Sequence, residues 1–236
     1  MRRALVIGGR RGIGGAVVQA LADQGARVTY TYRTAPSTAA AESRPLDLAD
    51  QAAVETFARE QEDAPAWDAY VHVAGTTYDT LASVMDQDAA EAVMQVNYWA
   101  FARIARAVVR PMLRARSGRI VVIGSVMGQH ASQGNASYAA SKAALLSYVR
   151  TLAIESARRG VAVNYVAPGF VDTTMLEPYA SYRPAIEGRI PAGRFARPEE
   201  IAAVAVFLAS EAAGYINGAY IPVDGGLTAS LGIHRG

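Results

Sequence analysis

The sequence predicts an α/β fold, a doubly wound parallel sheet flanked by helices, on three observations. Short apolar runs alternate with helical stretches along the whole chain, the pattern of parallel strands joined by helical crossovers. The runs are continuously apolar, as in Ile120-Val121-Val122-Ile123, which suits strands covered on both faces. A glycine cluster sits between the first run and the first helical stretch.

Taken in order, the first strand is Ala4–Gly8. Met1-Arg2-Arg3 ahead of it resembles the start of a signal peptide, but the apolar run stops at Gly8-Gly9-Arg10-Arg11, far short of an h-region. The helix Gly12–Gln24 follows, then the strand Arg27–Tyr32. A helix over Gln51–Glu62 has Asp50 as its cap. The strand Ala69–Val73 precedes a long helix, Glu91–Ala115, and the strand Arg119–Ile123 precedes the helix Ser137–Arg159. After the strand Val161–Val166 comes an irregular stretch, Pro168–Pro198, too long for an ordinary connection and expected to be functional. Pro198-Glu199-Glu200 opens the last helix, Pro198–Ser210, with proline and acids in its first turn. Ala219–Val223 is the sixth strand.

Composition narrows the class. The 236 residues, 51% hydrophobic and 19% charged, supply the core of one domain spanning 1–236. No apolar run approaches the roughly 20 residues that span a bilayer, so no membrane partner is expected. There are no cysteines, hence no disulfides and no thiol chemistry. A formal net charge of +2 argues against nucleic acid. A cytoplasmic protein is the default expectation.

Gly8-Gly9-Arg10-Arg11-Gly12-Ile13-Gly14-Gly15, lying between a first strand and a first helix, reads as a dinucleotide-binding turn of Rossmann type. Glycines there let the backbone approach a pyrophosphate, which sits on the positive end of the helix. The second strand ends at Arg33 where an acid would favour a free ribose 2′-hydroxyl. Arg33, with Arg10 or Arg11, would instead grip a 2′-phosphate, so the expected cofactor is NADPH; the alternative is a solvated loop arginine. At Asp47-Leu48 a carboxylate could accept the adenine amino group.

Of the 23 lysines and arginines, one is lysine, Lys142. A coding bias toward arginine accounts for most of this pattern. The survivor is then either chance or a position that needs an ammonium and not a guanidinium. Tyr138 and Lys142 stand at i and i+4, on one face of a helix, and Ser125 follows the strand Arg119–Ile123. An ammonium beside a phenol favours the phenolate, so Lys142 is expected to lower the pKa of Tyr138.

These residues, with Asn97, Pro168-Gly169-Phe170-Val171-Asp172-Thr173 and Asp224-Gly225-Gly226, resemble the short-chain dehydrogenase/reductases in content, order and spacing. Within that family the likeness is to the 3-oxoacyl-acyl-carrier-protein reductases. Ile190-Pro191-Ala192-Gly193-Arg194, Pro198-Glu199-Glu200-Ile201-Ala202 and Val206-Phe207-Leu208-Ala209-Ser210 look like their C-terminal signature. The resemblance implies a catalytic set: Ser125 positions a ketone, Tyr138 protonates it, Lys142 holds the nicotinamide ribose, and Asn97 holds a water of the proton relay. It implies cofactor contacts from Gly8, Arg10, Arg11, Gly12, Ile13, Gly14, Arg33, Asp47, Leu48, Ala74, Gly75, Asn97, Tyr138, Lys142, Pro168, Gly169, Val171 and Thr173, the last bonding the nicotinamide carboxamide. No metal is implied. Two departures stand out: Ile7 where the family has threonine, and His72-Val73-Ala74-Gly75 where it has Asn-Asn-Ala-Gly. They read as polar groups exchanged together for apolar ones, which is nearly neutral if no partner is orphaned.

Residues 174–197 fall where the family carries a substrate lid. Met175, Leu176, Tyr179 and Tyr182 would suit an apolar acyl chain, or simply pack the lid. Arg103, Arg106, Arg110, Arg114, Arg116 and Arg119 form a cluster that is a solvated face, an oligomer contact or a docking surface for acyl carrier protein. The expectation is NADPH-dependent reduction of a 3-oxoacyl thioester on a carrier protein, in polyketide or polyene assembly. The alternatives are a reductase or dehydrogenase of a free ketone or alcohol, such as a cyclic or aromatic polyketide, and a catalytically silent cofactor-sensing regulator. A homotetramer using the last strand and the Asp224-Gly225-Gly226 tail is implied by the resemblance.

Overall fold

The computed structural model describes residues 3–36 and 41–230. Seven parallel strands form one sheet in the order β3-β2-β1-β4-β5-β6-β7. They are β1 Arg3–Ile7, β2 Arg27–Tyr32, β3 Glu42–Pro45, β4 Ala69–His72, β5 Gly118–Ile123, β6 Val161–Pro168 and β7 Tyr220–Val223. The helices are α1 Gly12–Asp23, α2 Gln51–Glu62, α3 Gln87–Met94, α4 Ala100–Ala115, α5 Ala136–Ser156, α6 Arg183–Glu187 and α7 Pro198–Ala209.

The period of two along each strand sends alternate side chains to opposite faces. In β5, Ile120 and Val122 join the core under α2, α4 and α5, while Val121 and Ile123 join the one under α1 and α7. Both sets are buried, which is why the run carries no polar alternation. Asp50 caps α2 as expected, accepting from Ala52 N at 2.9 Å and Ala53 N at 3.0 Å.

Three elements differ from the sequence expectation. The strand β3, Glu-Ser-Arg-Pro, is an exposed edge whose polar residues carry no strand signal. The long helix begins earlier, at Gln87 after its cap Asp86, and passes through a π-helical turn, Gln95–Trp99, before α4. The irregular stretch holds a 3₁₀ segment, Thr174–Tyr182, and the short α6. Among the described residues no helix is long and apolar enough to cross a membrane.

The paired departures do not resolve as a simple apolar exchange. Ile7 is fully buried, as expected of an apolar replacement. His72, beside it in register, is equally buried, and its Nδ1 lies 2.9 Å from the Tyr70 hydroxyl. Its Nε2 has no hydrogen-bond partner among the described residues. Burial, reinforced by the charge of Lys142, lowers the imidazole pKa to about 3 and keeps it neutral. The unfolded chain takes up this proton near the ordinary value of about 6.5, and the folded chain not until about 3. Stability is therefore expected to fall as pH drops through that window, by up to about 1.4 kcal/mol per unit from this group. His72→Asn should flatten the slope, measured as the shift of the urea midpoint between about pH 7 and about pH 5. An unchanged slope would mean the imidazole is not held neutral.

Candidate active site

A cleft of about 960 Å³ opens at the carboxyl ends of β4, β5 and β6, where ligands bind in open α/β sheets. Its walls include Ile13, Gly75, Ser125, Tyr138, Lys142, Pro168, Gly169, Val171 and Thr173.

The glycine turn is held against β2: Gly8 N donates to Thr31 Oγ1 at 3.1 Å and Gly9 N to the Thr31 carbonyl at 3.0 Å. Gly8 and Gly12 have φ of 86° and 53°, where a side chain would strain the backbone. A Cβ on Gly14 would lie 1.9 Å from the Gly8 carbonyl oxygen, so α1 starts in direct contact with the strand end. The side chain of Arg11, the residue before α1, makes no cap hydrogen bond to that helix. Arg10 reaches Thr34 Oγ1 at 3.1 Å, and Arg11 and Arg33 are exposed. A Cβ on Gly12 would meet Thr173 Cγ2 at 3.1 Å, which places the Pro168–Thr173 segment against the turn. The Thr173 side chain caps nothing in the 3₁₀ segment it precedes. Val171 is buried and bridges Ala196.

Val73 N and Ala74 N both donate to the Ile7 carbonyl, at 3.0 and 3.1 Å, carrying the β4 end across the turn. A Cβ on Gly75 would sit 3.1 Å from Lys142 Nζ and 3.3 Å from Asn97 Oδ1, so bare backbone passes beside both. The π-helical turn presents Asn97, fully buried. Its Oδ1 accepts from Thr76 N at 2.8 Å, and its Nδ2 donates to the Thr76 carbonyl and to Ser141 Oγ, each at 2.9 Å. One acceptor position on Oδ1 remains for a water. Asp47 and Leu48 do not line the cleft. Asp47 is exposed with Oδ1 accepting from Ala49 N, while Leu48 is buried and gives its carbonyl to Gln95.

Ser125 and Lys142 are set by Tyr165, which the sequence reading missed. Ser125 N donates to the Tyr165 hydroxyl at 2.9 Å, and that hydroxyl lies 3.1 Å from the Ser125 carbonyl and 3.3 Å from the Lys142 carbonyl. A Cβ on Gly124 would stand 1.7 Å from Tyr165 Cζ, so only glycine fits before Ser125. The signal was present as Asn164-Tyr165 inside an apolar strand, but nothing in the sequence said where that hydroxyl would reach.

The Ser125 side chain acts on the Tyr138 phenol, both residues line the cleft, and Lys142 Nζ is 5.6 Å from the Tyr138 ring centre. The expected pKa effect is corrected here. Burial raises the phenol above its ordinary value, with a contribution from Asp79, and the Ser125 side chain opposes the rise. Lys142 is not among the causes. Its own pKa is lowered to about 8 by burial, so the ammonium is held where it can release and regain a proton.

The arginine cluster lies elsewhere. Arg106 and Arg110 pair with Glu55 and Glu62, and Arg114 bonds the Glu62 carbonyl, fastening α4 to α2. Arg103 lies over Trp99, Arg116 bonds the Arg158 carbonyl and Arg119 the Ser210 carbonyl.

Chemically, the cleft brings a phenol and a second hydroxyl beside a buried amine, and it adjoins the glycine turn at Ile13. Comparison with known proteins agrees. A family model described as enoyl-(acyl carrier protein) reductase matches residues 7–228. The 3-oxoacyl-acyl-carrier-protein reductase FabG of Vibrio harveyi is 38% identical, over 95% of this chain and 96% of its own length. The 3-oxoacyl-acyl-carrier-protein reductase MabA of Mycobacterium bovis is 37% identical, over 96% of this chain and 92% of its own. A solved gluconate 5-dehydrogenase from Burkholderia cenocepacia, in complex with NADP and tartrate, superposes with a TM-score of 0.90 at 32% identity, covering 98% of this chain and 96% of that one.

Proposed function

This chain belongs to the short-chain dehydrogenase/reductases, and from that premise we propose that it uses NADPH to reduce a 3-oxoacyl thioester on acyl carrier protein to the 3-hydroxyacyl thioester. The observation that carries this reading is that Ser125, Tyr138 and buried Lys142 line one cleft, which also reaches the glycine turn at Ile13. End-to-end likeness to two 3-oxoacyl reductases supports the substrate.

The residues fit a bound dinucleotide. The backbone cradle over Gly8, Gly12 and Gly14, with the amino end of α1, would hold the pyrophosphate. Arg33 with Arg10 and Arg11 would hold the 2′-phosphate. Asp47 and Leu48 would border the adenine. Ile13, Ala74, Gly75, Pro168, Gly169 and Val171 would line the rest, with Thr173 on the carboxamide and Lys142 on the ribose. The cofactor supplies hydride to the carbonyl carbon. Ser125 donates a hydrogen bond to the carbonyl oxygen and fixes its position. Tyr138 gives its proton to that same oxygen. The phenol is protonated at neutral pH, as a proton donor must be, and burial keeps it so. Lys142, with a water on Asn97, returns the proton to Tyr138. Residues 1–236 form one catalytic domain in which 174–197 cover the substrate; Met175, Leu176 and Ile186 give the cleft an apolar side for an acyl chain.

The gluconate 5-dehydrogenase likeness favours a second reading, oxidation or reduction of a free polyol or ketone. An NADPH-consumption assay separates the two. Turnover is expected with an acetoacetyl thioester and not with 5-ketogluconate or simple cyclic ketones; the reverse result would establish the second reading. Tyr138→Phe should bind NADPH normally and lose about 10²-fold to 10⁴-fold of the reduction rate; retained turnover would defeat the mechanism. Arg33→Asp should shift the NADPH/NADH preference toward NADH by about tenfold or more, read as kcat/KM with each cofactor. The exposed apolar side chains Trp99, Ile154 and Phe207 support a homotetramer, to be checked by light scattering in solution, where a monomer mass would contradict it.

A further inference from the structure

Asp79, on the loop leaving β4, gathers side chains from three segments of the cleft wall. Its Oδ1 accepts from Thr77 Oγ1 and from Asn135 Nδ2, each at 2.6 Å. Its Oδ2 accepts from the hydroxyl of Tyr179, in the 3₁₀ segment Thr174–Tyr182. The backbone repeats one of these ties: Thr80 N donates to the Gly134 carbonyl at 2.8 Å, and Thr80 bridges Asn135.

Asn135 has an unexpected use. It is the residue that opens α5, where an asparagine side chain ordinarily accepts from the first turn of its own helix. Here it makes no such cap, and its amide goes to Asp79 instead. Tyr138 stands three residues further on, so the path from Asp79 to the catalytic phenol is less than one helical turn. The far end of the lid is anchored separately. Arg183 is bonded to Asp172 and Glu187 and lies over Phe195, which leaves Tyr179 on the part that reaches across the cleft.

We propose that Asp79 is a positioning residue: a single carboxylate that fastens the lid through Tyr179 and the start of the catalytic helix through Asn135, so that covering the ketone and setting Tyr138 are one event. This rests on reading Tyr138 as the proton donor and 174–197 as the lid. The negative charge of Asp79 works in the same sense, since it favours the protonated phenol.

The first test needs no substrate. Tyr182 in the lid and Tyr215 on the far side of the molecule are both well exposed. Chymotrypsin cleavage after Tyr182, measured by mass spectrometry against cleavage after Tyr215, should be about tenfold faster in Tyr179→Phe, which loses a hydrogen bond to a carboxylate. Its thermal midpoint should not change. An unaltered ratio overturns the latch whatever the ketone assay gives. If the ratio rises while no ketone is reduced by the parent enzyme, the latch stands and the catalytic reading fails.

The second test is a KM-against-kcat split. Tyr179→Phe should raise KM for the acetoacetyl thioester about fivefold to tenfold with kcat nearly kept, whereas Asn135→Ala should lower kcat. Asp79→Ala should do both, and adding Tyr179→Phe to it should change nothing further. Full additivity of the two would overturn the proposal. Should Asp79→Ala fold poorly, Asp79→Asn, which keeps the shape and removes the charge, takes its place with the same expected split.

Discussion

One hydroxyl holds the catalytic wall together. Tyr165, on β6, takes the amide of Ser125 and reaches the carbonyls of both Ser125 and Lys142. The end of β5, the middle of α5 and the neighbouring strand are thereby fixed to one point. The bond exists because Gly124 lets the Tyr165 ring lie against the backbone. Ser125, Tyr138 and Lys142 come from segments that are separate in sequence, so their alignment is only as good as this attachment. A buried donor left without its acceptor would cost about 1–3 kcal/mol, which makes the arrangement sensitive to a single oxygen.

Around that point burial sets the proton chemistry. The same desolvation raises the Tyr138 phenol and lowers the Lys142 ammonium, because in each case it disfavours the charged form. The two shifts carry the groups apart in proton affinity, so the phenol holds its proton more tightly and the ammonium releases one more readily. The expectation that the cation would act directly on the phenol placed the cause in the wrong group. Spacing on a helix shows which residues share a face, but not how far an ammonium stands from a hydroxyl or how dry both are. The parallel sheet imposes the dryness by packing helices over both faces.

The charged residues divide by what lies near them. Arg10, Arg11 and Arg33 are exposed, whereas the arginines on α4 are mostly engaged with α2. Both groups look alike in the sequence. Spacing of three and four identified the helix face correctly, and Glu55 and Glu62, on another helix, decided its use. His72 belongs to the same class of surprise. Its neighbour Ile7 is the apolar replacement the pattern suggested, yet the imidazole finds Tyr70 two residues back along β4 and leaves one nitrogen unpartnered among the described residues.

Beyond the resemblance that marked Asn97 and Ser125, the sequence alone determined the sheet, six of its strands, most of the helices, the glycine turn and the shared helix face of Tyr138 and Lys142. Those signals are local: apolar period, glycine conformation, spacing on one helix. The edge strand β3 was invisible because its exposed residues bury too little to leave a pattern. The π-helical turn at Asn97 was invisible because one added residue per turn hardly alters an apolar stripe. Only the tertiary structure decided that Tyr165 anchors Ser125, that Asp79 meets Tyr179 and Asn135, and that the α4 arginines are already paired. Each of these joins residues tens of positions apart through one or two polar atoms, and such contacts are fixed by the packing of whole elements and leave no periodic trace in the chain.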